Sequence, residues 1–413
     1  MTYQFTRALT EMTGTATREI FKLLNRPEIV SFAGGLPASG CLPAAHIQEA
    51  TEAIFSDPAG VKRCLQYGIT EGYPELREHI LALILDAGIG GMGIDNILIT
   101  SGGSQALDLT CKVLLNPGDT VLVEDPTFLG FLATVKSYGA QAVGVRAAAG
   151  GLDLEDLEAK IRRHRPKLLY VIPNFSNPTG KTYSAENRRA LAELALRYET
   201  VILEDDPYGR LRFAGEALPA IAHFDACGLA VYCSSFSKTV SPGLRLGFAA
   251  GSQEVIRKMG IAKQGADLHS SNLVQMIIKT YLDKGYFYPD IEKSLPRYRE
   301  RKEAMIRALA KYMPGSFKHT DPDGGLFIWG EFDAPLNTVE IFHEALGRNA
   351  AYINGTAFYA ENQRAESAGK PVRGLNTLRL NYSNEHPDRI ETGIKALGGL
   401  FHEKLAALAP PRP

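Results

Sequence analysis

Tryptophan and cysteine are scarce in this sequence, with one and five residues in 413. The cysteines (Cys41, Cys64, Cys111, Cys227 and Cys233) are odd in number and form neither a CxxC pair nor a metal-ligand spacing. That predicts reduced thiols in a cytoplasmic protein and no bound zinc or other metal. Charge of one sign is not in excess either: 45 lysines and arginines face 46 aspartates and glutamates, a formal net charge of −1. Nucleic-acid binding needs a basic footprint, so this balance argues against it. Arg297, Arg299, Arg301 and Lys302 do cluster, but glutamates are interleaved with them, and a solvated helix face is the expectation. No apolar run reaches membrane-spanning length, and the first dozen residues lack the regions of a secretion signal. Internal repeats are absent, and the one biased tract is the proline-rich tail at 409–413, expected to fray.

What the chain does have is size and strand-forming runs. At 413 residues it exceeds the usual limit of a single core, and 45% hydrophobic with 22% charged residues is an ordinary globular balance. Apolar runs at 96–100, 120–125, 140–146, 167–173, 200–206, 230–236 and 245–251 mostly alternate with helix-length stretches such as 104–115 and 184–198. This is a βα repeat, which predicts an α/β fold around a mostly parallel sheet covered on both faces. The last connection differs. Eight residues, 237–244, are too few for a parallel crossover, so the seventh strand is predicted antiparallel.

Around this sheet the pattern changes. Near the start, Ile20, Phe21, Leu23 and Leu24 can line a helix that must stop before Pro27. Arg18 lies on that helix, as a solvated charge or as a substrate contact. Gly34, Gly35 and Pro37 then form a loop suited to close approach. After 251 a long helical run covers 253–283, and a second helix is predicted over 296–313 with Pro296 in its first turn. The expected division is 1–35 as the N-terminal segment of a small domain, 36–295 as a large domain, and 296–413 as the rest of the small one.

The polar residues converge on one edge of the predicted sheet. Ser101 to Gln105, Asp125, Asn174 to Asn177, Asp205 and Ser235 to Lys238 lie at or just past the C-terminal ends of separate strands. Ligand crevices of open α/β sheets form there. SGGSQ is a glycine-containing turn into a helix, whose amides can hold a phosphate with Ser104 and Gln105, while Arg245 and Ser235 complete an anion site. Asp205 ends an apolar strand and needs a cationic or donor partner to stay ionised; taken alone it also fits a helix cap, and Asp206 competes for its role. NPTG at 177–180 suits a plain turn as well as a ligand site. Lys238 is a lysine delivered by a buried strand, where a desolvated amine can form a Schiff base with an aldehyde.

The order SGGSQ, NPTG, DDPY, SFSK and PGLRLG, with 28 positions from Asn177 to Asp205 and 33 from Asp205 to Lys238, resembles the fold-type I pyridoxal phosphate aminotransferases. Within them it resembles the subgroup that acts on 2-aminoadipate, kynurenine and aromatic amino acids. The likeness runs from TATREI to NTLRLNYS. It implies a seven-stranded sheet with one antiparallel member, pyridoxal phosphate on Lys238, and Asp205 at the ring nitrogen. It further implies Asn177 and Tyr208 at the phenolate oxygen, and Phe128 stacked on the ring where most members have tyrosine. Arg379 would take the substrate carboxylate beside Gly35, and Tyr67, otherwise a half-buried packing aromatic, would reach the phosphate of the other subunit of a homodimer. Asn354-Gly355 departs from the usual proline-glycine and leaves the pocket rim open. Transamination with 2-oxoglutarate is the implied activity. A lyase or decarboxylase on the same scaffold, or a regulatory module that only binds the cofactor, are the alternatives.

Overall fold

The computed structural model describes residues 3–10, 12, 26–362, 365 and 369–408. Its strands, in chain order, are β1 (Val30–Ser31), β2 (Ile97–Thr100), β3 (Thr120–Asp125), β4 (Gln141–Ala148), β5 (Gly151–Leu152), β6 (Leu168–Val171) and β7 (Val201–Asp205). They continue with β8 (Ala230–Ser235), β9 (Gly247–Ala250), β10 (Phe317–His319), β11 (Phe327–Phe332), β12 (Ala350–Ala351), β13 (Ile353–Asn354) and β14 (Thr377–Asn381). The central sheet has the order β2-β9-β8-β7-β6-β3-β4-β5. From β8 to β4 every pairing is parallel, whereas β9 runs antiparallel to both β2 and β8.

Consecutive residues of these strands enter different cores. Val121 and Val123 pack in one cluster and Leu122 in another; Leu203 and Ile202 divide in the same way. Side chains alternate across a strand, so a sheet buried on both faces requires an unbroken apolar run, which is how these segments read. Four further strands form an antiparallel sheet of order β10-β11-β14-β13, and β1 pairs in parallel with β12. The single tryptophan, Trp329, stands directly across the ladder from Arg379. Among the described residues no helix is long and apolar enough to cross a membrane.

The structure corrects the sequence reading at four places. An eighth strand, β5, joins the predicted seven as a two-residue hairpin arm antiparallel to β4, too short to carry a periodic signal. The run 253–283 is two helices, Gln253–Gln264 and Asn272–Asp283, and the second is restarted by a Ser271 cap on the Val274 amide. Pro296 lies inside the helix Phe287–Tyr312 rather than at a start. Buried Ile291 and Tyr298 on either side of it anchor the helix, so packing offsets the lost backbone bond. The basic cluster on this helix is not simply solvated. Arg297, Arg299 and Arg301 donate to the carbonyls of Gly40, Phe213 and Ser383, and Lys302 pairs with Asp321 at 2.7 Å. The predicted helix carrying Arg18, Ile20, Phe21, Leu23 and Leu24 lies outside the described residues.

Candidate active site

The site is built from the turn that follows β8. The Ser235 hydroxyl donates to Ser237 Oγ at 2.8 Å and accepts from the Ser237 amide at 3.0 Å. This serine turn ends the strand and swings Lys238 out of it. Lys238 Nζ donates to the Gly35 carbonyl at 2.7 Å, so its partner is a neutral dipole rather than a carboxylate. Burial lowers the amine to about 8, with Arg379 and Arg245 adding like charge.

The same connection returns to the sheet through Arg245, whose backbone is left-handed at φ 50°. Its Nη2 donates to the Ser101 carbonyl at 3.3 Å, immediately before the helix Gly103–Leu114. Gly102 makes this approach possible: its φ is 85°, and a Cβ there would lie 2.5 Å from Arg245 Nη2. A guanidinium is thereby set beside the unbonded amides of a helix start, an arrangement suited to an anion. Ser235 borders it, 3.5 Å from where a Cβ of Gly103 would stand, and Ser104 is exposed on the first turn. The Gln105 amide is mostly committed within the protein. Its oxygen accepts from the Ser101 amide at 2.8 Å and its nitrogen donates to Asp267 at 2.8 Å, which leaves one N–H.

Asp205 closes β7 and is buried. Burial pushes its carboxyl up to about 7, against the Tyr170 hydroxyl that donates to it at 2.8 Å; Asp206 adds to the rise. Register explains the contact: Tyr170 lies opposite Leu203, and Asp205 is two residues further along the same face. Asp206 is otherwise engaged, accepting from the Tyr232 hydroxyl at 3.0 Å and the Gly209 amide at 2.9 Å. The two neighbouring carboxylates are thus separated by geometry.

Arg379 joins the remaining residues. It is buried, with its guanidinium carbon 4.2 Å from the Phe327 ring centre and 5.2 Å from that of Phe358. Nη1 donates to Asn177 Oδ1 at 2.8 Å, Nη2 to the Ala33 carbonyl at 2.6 Å, and Nε has no partner. An unsatisfied buried guanidinium N–H costs about 1–3 kcal/mol or more, which a ligand acceptor would recover. The Asn177 amide also bonds the Tyr208 hydroxyl, and Tyr208 meets the Phe327 ring edge-on at 5.8 Å between centres. Phe327 lies so close to Gly35 that a Cβ there would be 2.9 Å from its ring. Gly35, Lys238, Arg379, Asn177 and Tyr208 are thereby linked, and the Asp205 charge acts on the Tyr208 hydroxyl. Phe128 is half-buried at the cap of the helix Leu129–Ser137.

Some of the sequence-predicted polar residues do other work. Asn174 Oδ1 accepts from the buried Arg188 at 2.6 Å, and Arg188 also holds the Pro173 and Tyr183 carbonyls. Asp125 is ion-paired with Arg373. Tyr67 is 78% exposed rather than half-buried, and makes an edge contact with His269 at 5.9 Å.

Sequence reasoning missed the supports. Glu124 accepts from Ser176 Oγ at 3.0 Å and the Tyr183 hydroxyl at 2.5 Å, and burial pushes it up to about 8. Together Glu124 and Arg188 clamp the loop 173–183 that carries Asn177. Tyr170 was legible as the one polar-tipped side chain in the aliphatic run LLYV.

The family model "Aminotransferase class I and II" matches residues 29–397. The chain is 38% identical to the 2-aminoadipate transaminase of Thermus thermophilus over 94% of both chains. It is 35% identical to aromatic-amino-acid aminotransferase 1 of Thermococcus litoralis, covering 95% of this chain and 93% of that one. A solved kynurenine aminotransferase of Pyrococcus horikoshii, in complex with PMP, superposes with a TM-score of 0.90 at 36% identity over 97% of each chain.

Proposed function

Because the chain belongs to the class I and II aminotransferases and is a pyridoxal-phosphate-dependent enzyme of that family, we propose that it moves the amino group of 2-aminoadipate, aromatic or aliphatic amino acids to 2-oxoglutarate. The observation that carries this reading is the link from an amine at about 8 through Gly35 and Phe327 to a buried arginine with a free Nε.

The residues fit the cofactor. A carboxyl that burial lifts to about 7 lacks a cationic partner, and a protonated ring nitrogen supplies one. Gly102 keeps the space between Arg245 and the helix start that a phosphate needs. When bound, pyridoxal phosphate supplies an aldehyde and an electron-withdrawing ring that stores the electron pair of the broken substrate Cα–H bond. Arg245, Ser235, Ser104, Gln105 and the helix amides hold the phosphate. Asp205 would keep a proton on the ring nitrogen, with Tyr170 fixing its carboxylate. Asn177 and Tyr208 would donate to the phenolate oxygen, and Phe128 would supply an aromatic face to the ring.

Lys238 would hold the aldehyde and, once the substrate amine has displaced it from that bond, would be free as a neutral amine to take the proton from substrate Cα. Arg379 receives the α-carboxylate through Nε and the spare Nη hydrogens, with Asn177 and Gly35 beside it. The exposure of Tyr67 supports a homodimer in which it reaches the partner's phosphate, and Leu65 at the end of the preceding helix and Ile69 in the loop are exposed beside it in sequence. Five free thiols fit a cytoplasmic setting. The division into a large unit, 36–295, and a small one from both ends is supported by the pairing of β1 with β12.

A panel of amino acids with 2-oxoglutarate, read as glutamate formed, tests the assignment. Turnover of 2-aminoadipate and of phenylalanine is expected; cofactor binding without turnover of any amino acid would overturn it. Arg18→Ala in the same panel assigns that residue, and equal rates for acidic substrates would remove it from the substrate site.

A further inference from the structure

Lys263 stands in the last turn of the helix Gln253–Gln264, on the face of Ile256 and Met259 that packs into the core. Position 263 is where that periodicity calls for an apolar side chain, and the lysine there has no exposed surface. Burying an ammonium is costly unless it is paired and fully bonded. Here it is both. Nζ donates to Asp267 at 2.7 and 2.8 Å, to Gln105 Oε1 at 2.8 Å and to Ser270 Oγ at 3.1 Å.

Each of those partners leads to the anion cup. Asp267 Oδ2 also accepts from Ser101 Oγ at 3.0 Å and from Gln105 Nε2 at 2.8 Å. Gln105 Oε1 receives the Ser101 amide, and the Ser101 carbonyl receives Arg245. Lys263 has two effects in this ring of bonds. Its donation to Oε1 sets the orientation of the Gln105 amide, so that the nitrogen bonds Asp267 and keeps one N–H to give. Its charge also cancels that of Asp267, a carboxylate 29% exposed and directly bonded to the helix-start residues. Without that cancellation the cup would present an anion to an incoming dianion.

We propose that Lys263 is a positioning residue for the cofactor phosphate: paired with Asp267, it orients Gln105 and Ser101 and keeps the cup free of net negative charge. This rests on reading the start of the helix Gly103–Leu114 as the phosphate site.

The test compares two aldehydes on the cofactor-free protein, pyridoxal phosphate and pyridoxal, each titrated by the absorbance of its imine with Lys238. Lys263→Met is expected to weaken pyridoxal phosphate at least about tenfold while pyridoxal stays within about twofold of wild type. Inorganic phosphate should lose potency as a competitor by the same factor. Lys263→Met combined with Asp267→Asn, which removes both charges, should recover most of the loss. Should Lys263→Met fail to fold, Lys263→Gln reads the same ratio. Equal weakening of both aldehydes, or no change in either, overturns the role of Lys263 while leaving the cofactor reading intact. A wild type that captures neither aldehyde on Lys238 overturns both.

Discussion

Lys238 and Lys263 both bring an amine away from solvent, and the protein treats them in opposite ways. Lys263 is given a carboxylate, a hydroxyl and an amide oxygen, and burial leaves it a bonded cation in a fixed place. Lys238 is given one carbonyl, with two arginines near enough to repel a proton. The difference lies in the partners, since both amines are desolvated. A lysine becomes a reactive group where the fold withholds an anion, and a structural one where the fold supplies it.

The contrast can be broken most severely at Lys238 itself. Lys238→Ala should lower transamination by about a thousandfold or more, measured as single-turnover rates. Borohydride reduction of the wild type should leave a pyridoxyl mass on the peptide containing Lys238, and a label on any other lysine would sink the assignment. A second test sharpens the difference in availability. The free amine is the reactive form, and its fraction grows as pH rises toward about 8. Capture of pyridoxal by cofactor-free protein should therefore accelerate roughly fiftyfold between pH 6 and pH 8 and then level off. Lys263 should take no label across that range, as read by peptide mapping.

Smaller effects probe the surroundings of the two amines. Gly102→Ala puts a methyl group against Arg245 at a left-handed backbone position. It should weaken pyridoxal phosphate about tenfold by equilibrium titration, with little change for pyridoxal. Tyr170→Phe removes the donor that holds Asp205. Turnover should fall about threefold, with KM nearly unchanged and the pH dependence of the cofactor's visible absorbance displaced. An unaltered pH profile would mean that Asp205 needs no support from β6.

Most of the scaffold could be read from the chain. The strand runs are apolar because both sheet faces are covered, and the brevity of 237–244 forced β9 to reverse. The polar residues at strand ends were equally legible, since Lys238, Asp205, Asn177 and Arg245 interrupt or follow apolar runs. What escaped notice depends on contacts distant in sequence. Lys263 differs from the exposed Arg257 and Lys258 only in falling on the helix face of Ile256 and Met259, and the partners that hold it there come from other segments. Glu124 resembles a strand-end charge until Ser176 and Tyr183 are brought to it from more than fifty positions away. The exposure of Tyr67 was not legible, because an aromatic in a loop gives no sign of whether its own chain covers it.

The reversal after β8 sets Lys238 and Arg245 at opposite ends of one short span of backbone. A molecule gripped covalently by the first and ionically by the second laces that span into a ring. Amide hydrogens within 237–246 should then exchange with deuterated solvent more slowly in loaded protein than in empty protein. Loading could be followed in this way on the backbone itself, without colour or catalysis.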